Sequence, residues 1–214
     1  MRSALLVLLI CEYATAQDAG SIAARHYEGL IRRGLLTGAA FAAVEHGQVT
    51  ETAFFGQARQ DSLWRAASTT KAFTAIGIMR LVERGQLDLD ADVNRYLKTF
   101  RVPATKQHPV IVRHLLTHTS GLDDRFVGSG FLNSAGAQPP LAMVMRSWLP
   151  QRVYEPGEVD LYTNFGYGVL GALIEDVTGR RFEDYMRTEV LEPLGMRDSA
   201  FQQPLPEEMR PWPV

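Results

Sequence analysis

Ser68 and Lys71, a serine and a lysine three residues apart, are the pair in this chain best suited to covalent chemistry. They stand at the start of an apolar stretch that we predict to be a helix from Thr69 to Glu83. Positions i and i+3 lie on one face of a helix, so the Lys71 amine can reach the Ser68 hydroxyl. A serine is a poor nucleophile until a base removes its proton, and a poorly solvated lysine can act as that base. The pair therefore indicates attack on a carbonyl carbon.

The spacing alone is also compatible with an ordinary helix cap at Ser68 and a solvated Lys71. A second pattern strengthens the chemical interpretation. Tyr162 and Asn164 follow the turn signal at Pro156-Gly157 and precede a glycine-rich helical stretch. A phenol can shuttle protons, and a carboxamide offers both a hydrogen-bond donor and an acceptor. Together the two patterns favour an enzyme site.

Four segments occur in a characteristic order along the chain: LWRAASTTK at 63–71, IVRHLLTHTSGL at 111–122, YTN at 162–164 and LEPLGM at 191–196. In their residues and in their order, these segments resemble the motifs of the serine β-lactamase-like family. That family includes class C β-lactamases, D-alanyl-D-alanine peptidases and family VIII carboxylesterases. The resemblance covers nearly the whole chain after the N-terminus. It implies a serine hydrolase or acyltransferase that works through an acyl-enzyme and needs no metal or organic cofactor.

The resemblance also implies roles for four residues. Ser68 attacks an ester or amide carbonyl, and Lys71 takes or shares the Ser68 proton. Tyr162 passes a proton to the leaving group and then helps to activate water for deacylation. Asn164 holds Lys71 and a substrate carbonyl through its amide.

One family element is missing from these 214 residues. The family has a third motif, Lys-Thr-Gly or His-x-Gly, on a strand near the C-terminus that supplies half of the oxyanion hole. The chain contains no Lys-Thr-Gly, and none of its five histidines lies beyond His118. We therefore expect the chain to be C-terminally truncated relative to the family, either naturally or because the sequence is partial.

The resemblance implies an α+β fold of the β-lactamase/transpeptidase type, with an α/β sheet portion and a helical portion. We expect residues 1–16 to be a signal peptide and residues 17–66 to form the N-terminal part of the sheet portion. Residues 67–214 should form a mostly helical portion that carries both motifs. The sheet is expected to be incomplete, because the C-terminal strands of the family are absent.

The hydrophobic pattern predicts a helix from Ser21 to Leu36, ended by Gly38, followed by two strands at Ala39–Glu45 and Val49–Phe55. The Gly/Ser/Asn-rich segment 123–138 is either a substrate-facing flap with Phe126 and Phe131 or an ordinary connection. Further helices are predicted at Val93–Leu97, Val112–Thr117, Pro139–Leu149, Asn164–Val177 and Phe182–Leu191.

The N-terminus is typical of an export signal. Arg2 precedes a short apolar run, Leu5–Cys11, and Ala14-Thr15-Ala16 fits cleavage after Ala16. The run is too short to span a bilayer, so we expect a periplasmic or secreted protein without a stable membrane anchor. The alternative is a buried N-terminal helix. Cys11 is the only cysteine, so the mature chain would have no disulfide.

Other patterns indicate structure rather than chemistry. A net charge of −2 gives no reason to expect nucleic acid as a partner. His114 and His118 have the i, i+4 spacing of a zinc pair, but no further ligands accompany them, so a hydrogen-bonded structural role is favoured. Tyr167 is a second phenol near the Tyr-x-Asn pattern but lies outside it. Gly166, Gly168 and Gly171 indicate close helix packing rather than phosphate binding.

Three functions remain open at this point. The favoured one is a broad esterase- or peptidase-like hydrolase. The second is a β-lactamase or D,D-peptidase proper, which shares the same machinery. The third is a non-catalytic module that recognises peptidoglycan-like peptides, an interpretation supported by the missing third motif. The expected partners are small-molecule esters, β-lactams or D-amino-acid peptides, and the oligomeric state is not predicted.

Overall fold

The computed structural model of the protein describes residues 16–103, 108–124 and 139–209. The described residues fall into two compact units, one ending at Ala67 and the other comprising Ser68–Met209. The predicted signal peptide, apart from its last residue Ala16, and the flap residues Phe126 and Phe131 lie outside the described residues. Within the described ranges, no helix has both the length and the apolar character needed to cross a bilayer.

The first unit consists of one helix and one hairpin. Helix α1 spans Ala16–Arg32, and strands β1 (Gly38–Glu45) and β2 (Gln48–Gly56) pair antiparallel. His46 and Gly47 connect the strands with φ angles of 49° and 77°, the positive pair that two-residue hairpin turns require. Buried and half-buried apolar side chains join the helix to the hairpin: Ala23, Tyr27, Leu36, Ala39, Phe41 and Phe55.

The predicted boundaries of α1 are wrong at both ends. The helix begins at Ala16 rather than Ser21, and it ends at Arg32 rather than Leu36. Gly34, not Gly38, ends it, because Gly34 has a φ of 68° and donates its N–H to the Ile31 carbonyl. A glycine adopts this left-handed conformation without a Cβ penalty, which explains the early stop.

The sheet of the described residues has two strands, β1 and β2. An isolated two-stranded hairpin is marginally stable in water, so α1 must contribute much of the burial in this unit. Val44 and Val49, beside the turn, are both more than 60% exposed.

The second unit is helical and is built around one central helix. Helix α2 spans Thr70–Glu83, α3 Val112–Leu116, α4 Leu141–Trp148 and α5 Asn164–Thr178. Helix α6, Phe182–Met186, continues into a π-helical turn at Arg187–Leu191. Helix α5 packs on α2, α3, α4 and α6, and most of its side chains are buried.

Glycines allow two neighbouring helices to pack closely. A Cβ added at Gly168 would lie 2.5 Å from Met145 Sδ, and one added at Gly171 would lie 2.4 Å from Leu141 Cδ2. Both partners belong to α4, so the packing interpretation of these glycines is confirmed. On α2, a Cβ added at Gly77 would lie 3.0 Å from Met186 Sδ.

The predicted helix Val93–Leu97 is only a 3₁₀ turn, Val93–Arg95. The reason lies in Asp176, whose buried carboxylate accepts the backbone N–H of Lys98 at 2.7 Å. A continuing helix would need that N–H for its own ladder. The tertiary hydrogen bond therefore ends the helix early.

Glu175, a buried carboxylate on α5, joins the beginnings of two other helices. Its Oε2 accepts the N–H of Ala142 at 3.3 Å, and its Oε1 accepts the N–H of Phe182 at 3.1 Å. Both N–H groups lie in the first turn of a helix, where no intrahelical partner exists. One side chain therefore satisfies two helix N-termini, those of α4 and α6.

We expect replacement of Glu175 by alanine to lower the free energy of unfolding by about 2–4 kcal/mol, because two N–H donors lose their acceptor. Glu175→Gln should cost less, since the amide keeps one acceptor oxygen. The exposed Glu158→Ala should stay within about 0.5 kcal/mol of the parent. Urea denaturation of the three variants measures these differences, and equal stabilities for Glu175→Ala and Glu158→Ala would contradict the double capping.

Candidate active site

Ser68 lies in a 3₁₀ turn, Ala67–Thr69, that runs directly into α2. Residues three apart on a continuous helical segment are neighbours on its surface, which places Ser68 and Lys71 on the same side. The residue before the serine, Ala67, has a φ of 47°. This left-handed conformation costs about 1–2 kcal/mol for a residue with a Cβ. Backbone strain of this kind concentrates at functional sites.

The structure brings the four predicted site residues together. The Ser68 Oγ lies 2.7 Å from the Tyr162 Oη and 3.4 Å from the Lys71 Nζ. Lys71 Nζ donates to Asn164 Oδ1 at 2.7 Å, and Tyr162 Oη donates to the same oxygen at 3.4 Å. Ser68 and Tyr162 are exposed, whereas Lys71 and Asn164 are half-buried. Ser68 and Tyr162 therefore face solvent, whereas the two side chains that hold each other, Lys71 and Asn164, are partly covered.

Tyr162 has a phenol that ionises more readily than usual. Burial alone would raise its pKa, but hydrogen bonding to Lys71 and Ser68 and the positive charge of Lys71 together lower that pKa below its usual value. The Lys71 Nζ also lies 4.7 Å from the centre of the Tyr162 ring. The Tyr162 phenol thus contacts both the serine hydroxyl and the lysine amine.

The beginning of α5 holds the second motif in place. Thr163 is the N-cap of α5, and its side chain accepts the N–H of Gly166 at 3.4 Å. Asp124 provides a second, non-local cap, because its Oδ1 accepts the N–H groups of Asn164 at 2.9 Å and Phe165 at 3.2 Å. Sequence reasoning missed Asp124, which comes from a different segment, 40 residues away.

His118 contacts the backbone of the Tyr-x-Asn motif and does not share a helix face with His114. Helix α3 ends at Leu116, and His118 has a left-handed φ of 59°. Its Nδ1 accepts the N–H of Thr163 at 3.2 Å, so the proton of the neutral ring belongs on Nε2. Burial and the nearby Lys71 charge lower the pKa of His118. The neutral imidazole therefore supports the backbone between Tyr162 and Asn164.

The second phenol, Tyr167, has a different partner from Tyr162. Its hydroxyl donates to the Leu116 carbonyl at 3.0 Å, and burial raises its pKa. Its ring stacks on His118 at 5.1 Å, on the same histidine that Tyr162 contacts at 4.4 Å. Tyr167 thus completes an aromatic stack, whereas the Tyr162 hydroxyl points at Ser68.

Asp88, Asp90 and Asp92 alternate along the chain but make structural contacts. Asp88 and Asp92 cap nearby backbone N–H groups, and Asp90 pairs with Arg113 at 2.9 Å. In the part of the chain that the structure describes, no group of three or more His, Cys, Asp or Glu side chains could hold a metal ion.

A family model described as Beta-lactamase matches residues 23–214. The chain belongs to this family. Beta-lactamase-family relatives include Esterase EstB of Burkholderia gladioli, which is 34% identical over 222 aligned positions covering 91% of this chain. Penicillin-binding protein 4* of Bacillus subtilis is 36% identical over 146 residues, or 66% of this chain. These alignments cover 55% and 31% of the two relatives, so the chain spans about half of their length or less.

A solved structure of the Beta-lactamase family shares the fold. The octameric penicillin-binding protein homologue from Pyrococcus abyssi superposes with a TM-score of 0.71 at 30% identity, covering 87% of this chain and 45% of that one. The predicted α+β fold of the β-lactamase/transpeptidase type is thereby confirmed.

Proposed function

We propose that the protein is a serine hydrolase or acyltransferase in which Ser68 forms an acyl-enzyme with ester or amide substrates. The observation that supports this best is the position of the Ser68 Oγ, within hydrogen-bond distance of both Tyr162 Oη and Lys71 Nζ. A nucleophile in contact with a phenol that can accept its proton, and with an ammonium that a third side chain holds in place, is an arrangement suited to covalent catalysis.

Acylation begins when the Ser68 Oγ attacks the carbonyl carbon and loses its proton. The short 2.7 Å contact makes Tyr162 the immediate acceptor of that proton, and the Lys71 ammonium stabilises the negative charge that forms. The positive charge on Lys71 favours the phenolate form of Tyr162. The Lys71 ammonium in turn is held by Asn164 Oδ1.

The acyl-enzyme forms when the C–O or C–N bond of the substrate breaks and Tyr162 returns the proton to the leaving group. In the second half-reaction a water molecule takes the place of the leaving group, and Tyr162 removes its proton as it attacks the ester on Ser68. The bond between the carbonyl carbon and Ser68 Oγ then breaks, Tyr162 returns the proton to Oγ, and the carboxylic acid leaves. The backbone N–H of Ser68 serves as one donor to the oxyanion in both steps.

For substrates, we propose small esters first and amides or β-lactams second. The likeness to an esterase extends over 91% of the chain, whereas the likeness to penicillin-binding protein 4* extends over 66%. The exposed Ser68 and Tyr162 fit a substrate that approaches from solvent. A β-lactamase or D,D-peptidase remains the second candidate, since the same four residues serve an amide carbonyl equally well.

The test uses the protein expressed from its complete gene. We expect short-chain p-nitrophenyl esters to be hydrolysed with a higher kcat/KM than a chromogenic cephalosporin, and a fluorophosphonate to inactivate the enzyme. Cephalosporin turnover far above ester turnover would reverse the order of the two candidates. No reaction with either substrate or with the fluorophosphonate would instead indicate a non-catalytic peptide-binding module.

A further inference from the structure

The amide of Asn164 is bonded at both ends by groups of opposite hydrogen-bonding character. Its Oδ1 accepts from the Lys71 ammonium at 2.7 Å, and its Nδ2 donates to Asp124 Oδ2 at 2.9 Å. A carboxylate can only accept hydrogen bonds, and an ammonium can only donate them. The amide therefore satisfies both neighbours in one of its two orientations and neither neighbour in the other.

Asp124 is itself fixed, so it can define that orientation. Its other oxygen, Oδ1, accepts the first two N–H groups of α5, from Asn164 and Phe165. The Thr163 hydroxyl donates to the same oxygen at 3.3 Å. A carboxylate at a helix N-terminus is further stabilised by the helix dipole. Both Asp124 oxygens are thus used, one for the helix and one for the amide.

A chain of contacts leads from this cap to the nucleophile. Helix α5 holds Asp124, Asp124 orients the Asn164 amide, and the amide oxygen holds Lys71 beside Ser68. If the amide turned around, its nitrogen would face the Lys71 ammonium, so the lysine would lose its acceptor and move away.

We propose that Asp124 is a positioning residue that orients the Asn164 amide so that its oxygen faces Lys71. The inference rests on the proposed function, because it assigns Asp124 a part in the same hydrolase. It predicts that positions 124 and 164 are coupled, so that the loss of rate caused by a substitution at one position is compensated by a second substitution at the other.

Three variants of the complete protein test the coupling. Asp124→Asn places two amide nitrogens against each other, so the Asn164 amide must turn its nitrogen toward Lys71. Asn164→Asp places two carboxylates against each other, which repel. In the double variant Asp124→Asn/Asn164→Asp, the amide nitrogen at position 124 donates to the carboxylate at position 164, so the hydrogen bond is reversed. The second carboxylate oxygen again faces Lys71, and the amide oxygen again faces the first N–H groups of α5.

We expect each single variant to lower the rate of fluorophosphonate labelling and the kcat for a p-nitrophenyl ester by about 10–100-fold. The double variant should recover at least about tenfold relative to the slower single variant. A merely structural carboxylate would give a double variant at least as slow as either single one. The matched control is Asp123→Asn, which removes the same charge from an exposed neighbour and should change the rate by less than about threefold.

Urea unfolding of the same proteins gives a second measurement that does not need activity. The midpoint should fall in both single variants and return toward the parent in the double variant. Additive losses in the midpoint and in the rate would overturn the inference. If the midpoint is restored but the parent does not react with fluorophosphonate or ester, the proposed function is overturned, and with it the positioning role of Asp124 in the reaction. The contact between the two side chains would still be established.

Discussion

Replacement of Ser68 by alanine should lower ester turnover by about 10⁴- to 10⁶-fold and abolish fluorophosphonate labelling, because no other atom can form the acyl-enzyme. The Oγ that lies 2.7 Å from Tyr162 and 3.4 Å from Lys71 is the only part of the side chain that the variant removes. Labelling followed by peptide mass analysis, together with steady-state kinetics, measures both effects in the complete protein.

The matched control for this variant is Ser120→Ala. Ser120 is fully buried, and its hydroxyl accepts a long 3.4 Å hydrogen bond from the N–H of Leu122. Its replacement should leave both labelling and turnover close to those of the parent. If labelling persisted in Ser68→Ala and disappeared in Ser120→Ala, the assignment of the nucleophile would be wrong.

Tyr162→Phe should lower kcat by about 10²- to 10⁴-fold, the range expected for loss of a general acid–base group. The variant keeps the ring contact with His118 and removes the hydroxyl that faces Ser68. In the parent, kcat/KM should rise with pH as the phenol ionises. Because the pKa of Tyr162 is lowered, this rise should lie below the ordinary tyrosine value of 10.0, and it should vanish in Tyr162→Phe.

Tyr167→Phe is the control for Tyr162→Phe. It removes a hydroxyl from the same aromatic stack, but that hydroxyl bonds to the Leu116 carbonyl and not to Ser68. Loss of one such hydrogen bond corresponds to about 1 kcal/mol, so its effect on kcat should stay below about tenfold. Similar losses in the two variants would argue against a proton-transfer role for Tyr162.

The sequence predicts those elements whose ends are signalled locally. Helix α5 was expected at Asn164–Val177 and spans Asn164–Thr178, because Thr163 is an N-cap and Gly179 adopts a left-handed φ of 68°. The hairpin boundaries likewise agree within one residue at each end, since the His46-Gly47 turn marks where the two strands meet, although the register shifts between Ala43 and Val44. Local chemistry is sufficient in both cases.

Elements that depend on distant partners could not be predicted in the same way. The predicted helix Phe182–Leu191 changes to a π-helical turn at Arg187, and this turn carries Glu189. Glu189 pairs with Arg80 of α2, with Arg84 directly after that helix, and with Arg180. A periodic apolar pattern contains no information about such long-range ion pairs.

The residues of the candidate site differ in the same way: some have a local sequence signature, and one depends on distant partners. Ser68, Lys71, Tyr162 and Asn164 were identified from motifs, and the structure places them together. Asp124 was not identified, because an aspartate in a loop has no local signature and its partners lie 39 to 41 residues further along the chain.

Gly77, in the interior of the helical unit, helps to determine where Ser68 lies, although the two residues are far apart. It lies nine residues beyond Ser68 on α2, a distance of about 13 Å along a helix. The missing side chain lets α2 approach Met186, and the Gly77 carbonyl accepts the hydroxyl of Tyr185. Ser68 directly precedes α2, and Asn164 begins α5, whose Ile174 Cδ1 would lie 3.4 Å from a Cβ added at Gly77. A larger residue at position 77 would therefore shift Ser68 relative to Tyr162 while every motif residue stays unchanged.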